Sequence, residues 1–141
     1  MKTKLMALVT ALVLLVTVNV PAFATVKPKS ADSGIHIMYT NTDSASAYLD
    51  FSGTRADCSA IVQGKSGTTK ITATVYLKRV VGSTKTTVKA WTGLSASGDS
   101  FFFDKSYYAA SGYNYELEIK AKVYRNGTVE SISVSDTAYC G

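Results

Sequence analysis

Side chains that commonly perform acid–base or metal chemistry are scarce in this 141-residue chain, which holds one histidine, His36, and two cysteines, Cys58 and Cys140. A lone histidine cannot complete a metal site, because structural zinc is normally held by four ligands. The sequence also contains no G-x-S-x-G nucleophile motif and no glycine-rich phosphate loop. We therefore expect no catalytic residue, no metal site and no cofactor, and we predict that the protein is not an enzyme.

Glu116 and Glu118 are the one pair of carboxylates whose spacing invites a catalytic interpretation. They lie two residues apart, so in a strand they share a face. Glycosidases instead place their two carboxylates on opposite sides of the bound sugar. Because Lys120 and Lys122 continue the same face, we interpret it as a charged stripe facing solvent.

Aromatic residues are the remaining candidates for function, since the chain holds Trp91 and nine tyrosines. Tyr76, Trp91 and Tyr124 fall on the outward register of their predicted strands, where they could form a patch that stacks on sugars or anchors a protein. The alternative, which we favour, is that Trp91 turns inward as a core tryptophan. We predict that Tyr107 and Tyr108 lie in a loop and form a second surface that could bind a partner.

Residues 1–24 have the three parts of a secretory signal peptide. Lys2 and Lys4 supply the charged start, an apolar run follows, and Ala22 and Ala24 supply the small residues that signal peptidase requires. The alternative is a retained membrane anchor, but spanning a bilayer takes about 20 apolar residues and this run is shorter. We predict cleavage between Ala24 and Thr25, a secreted product and no stable membrane anchor.

Charge excludes one class of partner. Removing residues 1–24 takes two of the 15 basic residues and none of the 10 acidic ones, so the formal charge falls from +5 to +3. The remaining charges are mixed, with no basic run of the kind that binds nucleic acid. Attraction to anionic cell-wall polymers stays open, and we expect a monomer without a nucleic-acid partner.

Export places both cysteines in a compartment where oxidation is allowed. We therefore predict one disulfide between Cys58 and Cys140, the only cysteines in the chain. Closing so long a loop would stabilise the fold by about 4 kcal/mol in the chain-entropy model.

We predict that residues 25–34 form a flexible, polar N-terminal arm and that residues 35–141 form a single domain of β-strands. Six consecutive alternations of apolar and polar residues from Tyr113 to Tyr124 predict a half-buried strand, and Asn126-Gly127 predicts a tight hairpin after it. Gly82-Ser83 predicts another hairpin, which returns as far as Trp91 before a loop over residues 93–99. About seven such strands favour an all-β, antiparallel, immunoglobulin-like sandwich, with a small barrel as the alternative.

The strand from Tyr115 to Val123, followed by Asn126-Gly127, resembles the penultimate strand and last hairpin of fibronectin type III domains and other immunoglobulin-like sandwiches. More broadly, the mature chain resembles a family of small exported proteins of Gram-positive bacteria whose domain has no known function. The residues that carry this second resemblance are Ala47-Tyr48-Leu49, Leu77-Lys78-Arg79, Val88-Lys89-Ala90-Trp91, Gly112-Tyr113 and Glu130-Ser131. The resemblance implies export and a β-rich domain, with no catalytic residues.

Two classes of function fit these features. The first is a non-catalytic module that binds a glycan or a protein at the cell surface through a tyrosine-bearing face. The second is a secreted antimicrobial or toxin-like effector, for which small size and mild positive charge are permissive.

Overall fold

A computed structural model describes residues 39–141, so the predicted signal peptide, its cleavage site and the N-terminal arm lie outside the described residues. The described chain forms seven β-strands. They are β1 (Thr42–Ser52), β2 (Arg55–Gly64), β3 (Thr68–Val81), β4 (Thr84–Ser97), β5 (Ser100–Tyr108), β6 (Tyr113–Arg125) and β7 (Thr128–Cys140).

The strands form two antiparallel sheets, one with the order β1-β2-β5 and the other with the order β4-β3-β6-β7. The buried residues of both sheets make one hydrophobic cluster, as expected when two half-apolar sheets cover each other. This arrangement confirms the predicted immunoglobulin-like β-sandwich of seven strands.

Strand β6 follows its sequence pattern closely. Leu117 and Ile119 are fully buried, and the alternate residues lie on the outer face of the sheet. The hairpin after it is the predicted one, because Asn126 and Gly127 both adopt positive φ, at 49° and 74°. That pair of angles is what a type I′ turn requires.

Strand β4 departs from the prediction, because it continues past Trp91 to Ser97 where we expected a loop. Trp91 pairs with Val75 and Leu94 pairs with Ala73, which leaves two residues of β4 opposite one residue of β3. Gly93, with φ of 67°, sits in this bulge.

Trp91 shares the inner face with Val75, and the centre of its ring lies 5.1 Å from that of Phe103 in an edge contact. The alternative that Trp91 packs against the core is therefore confirmed.

Tyr107 and Tyr108 lie in β5, so the predicted loop at these residues is wrong. Tyr107 pairs with the buried Ala56 and packs against the core. Tyr108 points the other way and is 73% exposed. Because β5 pairs with β2 along its whole length, the two tyrosines are separated onto opposite faces of the sheet.

Tyr115, near the start of β6, ties the loop between β5 and β6 to the core. Its side chain is 1% exposed, and its hydroxyl donates a hydrogen bond to the Ala110 carbonyl at 2.8 Å. Its ring lies 5.4 Å from that of Phe51. A tyrosine bonded to the backbone a few residues upstream is the tyrosine corner of immunoglobulin-like domains.

Carboxylates of β7 hold the free edge of β1. Both oxygens of Glu130 accept hydrogen bonds, from the amides of Thr40, Asn41 and Thr42 at 2.5, 2.9 and 2.9 Å and from the Thr42 hydroxyl at 2.8 Å. Further along, Asp136 accepts one from the Leu49 amide at 2.9 Å. Side chains here satisfy backbone donors that a neighbouring strand would otherwise satisfy.

The predicted disulfide is wrong, since Cys58 and Cys140 are both free and buried thiols. The Cys140 thiol lies 3.7 Å from the Gly53 carbonyl in the turn between β1 and β2. Cys58 lies further from this turn. It pairs with Leu49, and the pair next to the turn, Ser52 with Arg55, is three residue pairs away. Three pairs correspond to about 10 Å along the strands, and a disulfide needs its two Cα atoms within about 7 Å.

We predict that these thiols react only in the unfolded protein. Burial, aided by the negative charges of Asp57 and Asp104, raises the pKa of Cys58 to about 12, and both side chains are inaccessible. An aromatic disulfide reagent should therefore find no thiol in the native protein, and two per chain in denaturant without reductant. A protein that releases its thiols in denaturant only after reduction would contradict this structure.

Candidate binding groove

Residues of the four-stranded sheet that face away from the core form rows across β4, β3, β6 and β7. A groove of about 660 Å³ runs along this outer face. Its two central rows are Ser95, Thr72, Lys122 and Ser131, and then Gly93, Thr74, Lys120 and Ser133.

The shape of the groove follows from the size of these side chains. Serine, threonine and glycine occupy the positions on β3, β4 and β7, so the middle of the sheet surface is low. The glycine is Gly93, which forms the bulge in β4 and lines the groove. Hydroxyls that both donate and accept hydrogen bonds therefore line most of its length.

A tyrosine stands at each end of the groove. Tyr76 lies in the row next to Lys120, and Tyr124 lies in the row next to Lys122. Six residues of β3 separate the two rows, which corresponds to about 20 Å. Lysines contact both rings, with Lys70 Nζ 4.6 Å from the centre of Tyr124 and Lys120 Nζ 5.8 Å from that of Tyr76.

Beyond Tyr76, the outer face carries a cluster of ion pairs. Lys78 bonds to Glu118 and lies 3.8 Å from Glu116, and Lys85 Nζ contacts Glu116 at 2.5 Å. Glu116 is only 7% exposed, so the expected solvent-facing stripe is wrong for this residue. Long side chains from β3 and β4 cover it, an effect that the spacing within β6 could not reveal.

Glu118 stays charged in this cluster. Burial alone would raise its pKa, but hydrogen bonds from Lys78 and Ser133 outweigh burial and hold the pKa below its ordinary value. The Ser133 hydroxyl donates to Glu118 Oε1 at 3.0 Å. An ionised Glu118 held by Lys78 and Ser133 has neither the raised pKa of a general acid nor a free carboxylate.

The five aromatic residues singled out in the sequence do not form one patch. Tyr76 and Tyr124 reach the same groove, whereas Trp91 faces the core and Tyr107 and Tyr108 belong to the other sheet. The sequence analysis missed the hydroxyl residues on β4 and β7. Their alternation is visible in Ser131-x-Ser133-x-Ser135, but the register that places them beside β6 is not.

Within residues 39–141, no group of three histidine, cysteine or acidic side chains could hold a metal ion. The same part of the chain has no helix with the length and apolar character needed to cross a membrane.

Comparisons with known proteins assign no family. No protein-family model and no curated protein sequence matches the chain. Among solved structures, the chain is similar to the sporulation control protein Spo0M from Bacillus subtilis, with 14% sequence identity, a TM-score of 0.38, and coverage of 72% of this chain and 49% of that chain. The chain thus spans about half the length of that structure. The resemblance to small exported proteins of unknown function stays a prediction.

Proposed function

We propose that the protein is a secreted, non-catalytic binding module that holds an extended glycan at the cell surface in the groove of its four-stranded sheet. The observation that carries this proposal is the placement of Tyr76 and Tyr124 at the two ends of a groove lined with hydroxyls. Tyrosine rings stack on the apolar faces of sugars, and serine and threonine hydroxyls exchange hydrogen bonds with sugar hydroxyls.

The dimensions of the groove favour a chain over a single sugar. The tyrosine rows lie about 20 Å apart, a length that accommodates several consecutive sugar units of one chain. It is open along one side, which lets a polymer enter without a free end. A sheet is also a rigid support, so little ordering of the protein is needed when a ligand binds.

The proposal predicts the effect of removing either tyrosine. In co-sedimentation with cell-wall material, chitin and cellulose, we expect the wild-type protein to be retained on at least one matrix. Tyr76→Ala and Tyr124→Ala should each weaken that binding about tenfold, which corresponds to about 1.4 kcal/mol. Because the two residues are far apart, the double variant should show nearly the sum of both losses.

Tyr48→Ala is the matched control, because Tyr48 is 58% exposed but lies on the three-stranded sheet, away from the groove. It should bind as the wild type does. Retention on none of the matrices, or equal losses for Tyr48→Ala and the groove variants, would overturn the proposal.

A further inference from the structure

The middle of the groove is positively charged. Lys120 and Lys122 lie two residues apart on the same face of β6, which places them about 7 Å apart along the strand. Neither side chain is buried. Lys120 approaches Glu118 at 3.9 Å, while no carboxylate of residues 39–141 lies within 4.0 Å of the Lys122 ammonium. Two cations thus face a part of the groove in which the neighbouring side chains are hydroxyls.

Of the two outer faces of the sandwich, only that of the four-stranded sheet carries a net positive charge. The outer face of the four-stranded sheet carries five lysines against two glutamates, namely Lys70, Lys78, Lys85, Lys120 and Lys122 against Glu116 and Glu118. The outer face of the three-stranded sheet carries three aspartates against one arginine, namely Asp50, Asp57 and Asp104 against Arg55. An anionic ligand is therefore attracted to the groove side and repelled from the other.

The two glutamates on the groove side do not cancel this charge. Glu116 and Glu118 are already neutralised by Lys78 and Lys85 in the ion-pair cluster beyond Tyr76. The uncompensated charge belongs to Lys122 and Lys120, which lie in the two central rows, and to Lys70, which lies in the row of Tyr124.

We propose that the groove selects glycans that carry anionic groups, carboxylate or phosphate, at intervals along the chain, and that Lys120 and Lys122 each bind one such group. This inference rests on the glycan-binding function proposed above. Each ammonium offers three donors, and its hydrogen bonds to an anionic oxygen are stronger than those between neutral groups. The tyrosines then supply affinity for the sugar rings, and the lysines supply selectivity for charge.

The test compares an anionic glycan with its uncharged ester, which shares its backbone, and with a phosphate polymer that has no sugar rings. Binding of the protein to soluble polygalacturonate, to its methyl ester and to poly(glycerol phosphate) is measured by calorimetry. We expect the polygalacturonate to bind about tenfold more tightly than its uncharged ester. Raising the salt from about 50 to about 500 mM should weaken only the charged complexes, since exposed charges are screened.

Lys122→Gln and the control Lys105→Gln complete the experiment. Lys105 is an exposed lysine of β5, in the other sheet. Lys122→Gln should weaken polygalacturonate binding about fivefold and leave the methyl ester within about twofold, while Lys105→Gln changes neither. A Lys122-dependent preference for poly(glycerol phosphate) supports the binding of an anion by Lys122 and identifies phosphate as that anion, but it overturns the requirement for a sugar backbone.

The outcomes that overturn the charge selectivity differ from those that overturn glycan binding. If the polygalacturonate and its ester bind equally, and Tyr76→Ala weakens both, the groove binds glycans without selecting charge. If Lys122→Gln and Lys105→Gln cause equal losses, the attraction is not specific to the groove. If no polymer binds in any condition, glycan binding itself fails and the selectivity fails with it.

Discussion

Replacing Glu130 by glutamine should lower the free energy of unfolding by about 3 kcal/mol near neutral pH, because hydrogen bonds to a charged group each contribute about 1.5–3 kcal/mol. The Glu130 carboxylate accepts three backbone amide bonds and one hydroxyl bond from the start of β1. Glutamine keeps one acceptor oxygen but turns the other into an amide that cannot accept. Urea titration of both proteins measures the difference.

The same variant should have a distinctive pH dependence. Burial alone would raise the pKa of Glu130, but hydrogen bonds from Thr42, and from the backbone of Thr40 and Asn41, hold the pKa below its ordinary value of 4.5. A carboxylate with a lowered pKa stabilises the fold above its unfolded-state pKa, and this contribution disappears as pH falls through its folded-state pKa. The gap between wild type and Glu130→Gln should therefore be full above about pH 5 and shrink under more acidic conditions.

Asp104→Asn provides a control for this experiment, since Asp104 is an exposed carboxylate on the outer face of β5. We expect it to change stability by less than about 0.5 kcal/mol. A Glu130→Gln deficit that stays constant from acidic to neutral pH would show that the charge of Glu130 is not what holds β1.

Truncating Tyr115 should have the largest effect of any single change described for this protein. Tyr115→Ala removes a ring that is 1% exposed and packs on Phe51, and large aromatic-to-alanine changes in cores cost about 3–5 kcal/mol. Tyr115→Phe keeps the ring and removes only the hydrogen bond to Ala110, which predicts a loss of about 1.5 kcal/mol. Equilibrium unfolding in urea separates the two contributions.

Hydrogen exchange can locate the effect of the lost hydroxyl. The Ala109 amide donates to the Thr54 carbonyl at 2.8 Å and the Gly112 amide donates to the Cys140 carbonyl at 2.6 Å, so the loop is tied down on both sides of Ala110. Tyr115→Phe should speed exchange at these two amides more than at the centre of β6. Tyr139→Phe, at a residue that is 60% exposed, should leave stability and exchange unchanged. Wild-type exchange at Ala109 in Tyr115→Phe would contradict the anchoring role.

The sequence predicted those parts of the fold whose signals are local. The alternation in β6 and the two hairpins at Gly82 and Asn126 were correct because side-chain direction and turn type depend on neighbouring residues. The predicted end of β4 was wrong because a glycine such as Gly93 is equally typical of a bulge and of a loop. Only pairing with β3 distinguishes the two.

Contacts between distant segments could not be predicted from one sequence. Glu130 lies 90 residues from Thr40, and nothing in the type or spacing of either residue indicates that they meet. The Cys58–Cys140 pairing failed for the same reason, because a cysteine count carries no information on how far apart two strands place their thiols. The prediction that Tyr76 and Tyr124 point outward was correct. The serine residues that line the groove between them could not be predicted, because their positions depend on the register of β4 and β7.

Strands β2 and β3 follow each other in the chain but belong to different sheets. Each of them pairs on one side with a strand that comes much later in the sequence. Besides its hairpin partner, β2 pairs with β5 and β3 pairs with β6, so neither sheet is complete until most of the chain is available. Such a high contact order makes folding slow, on the order of milliseconds to seconds. A growing chain that stops before β6 lacks two of the four strands of the larger sheet, so we expect the complete sandwich to form only late in synthesis.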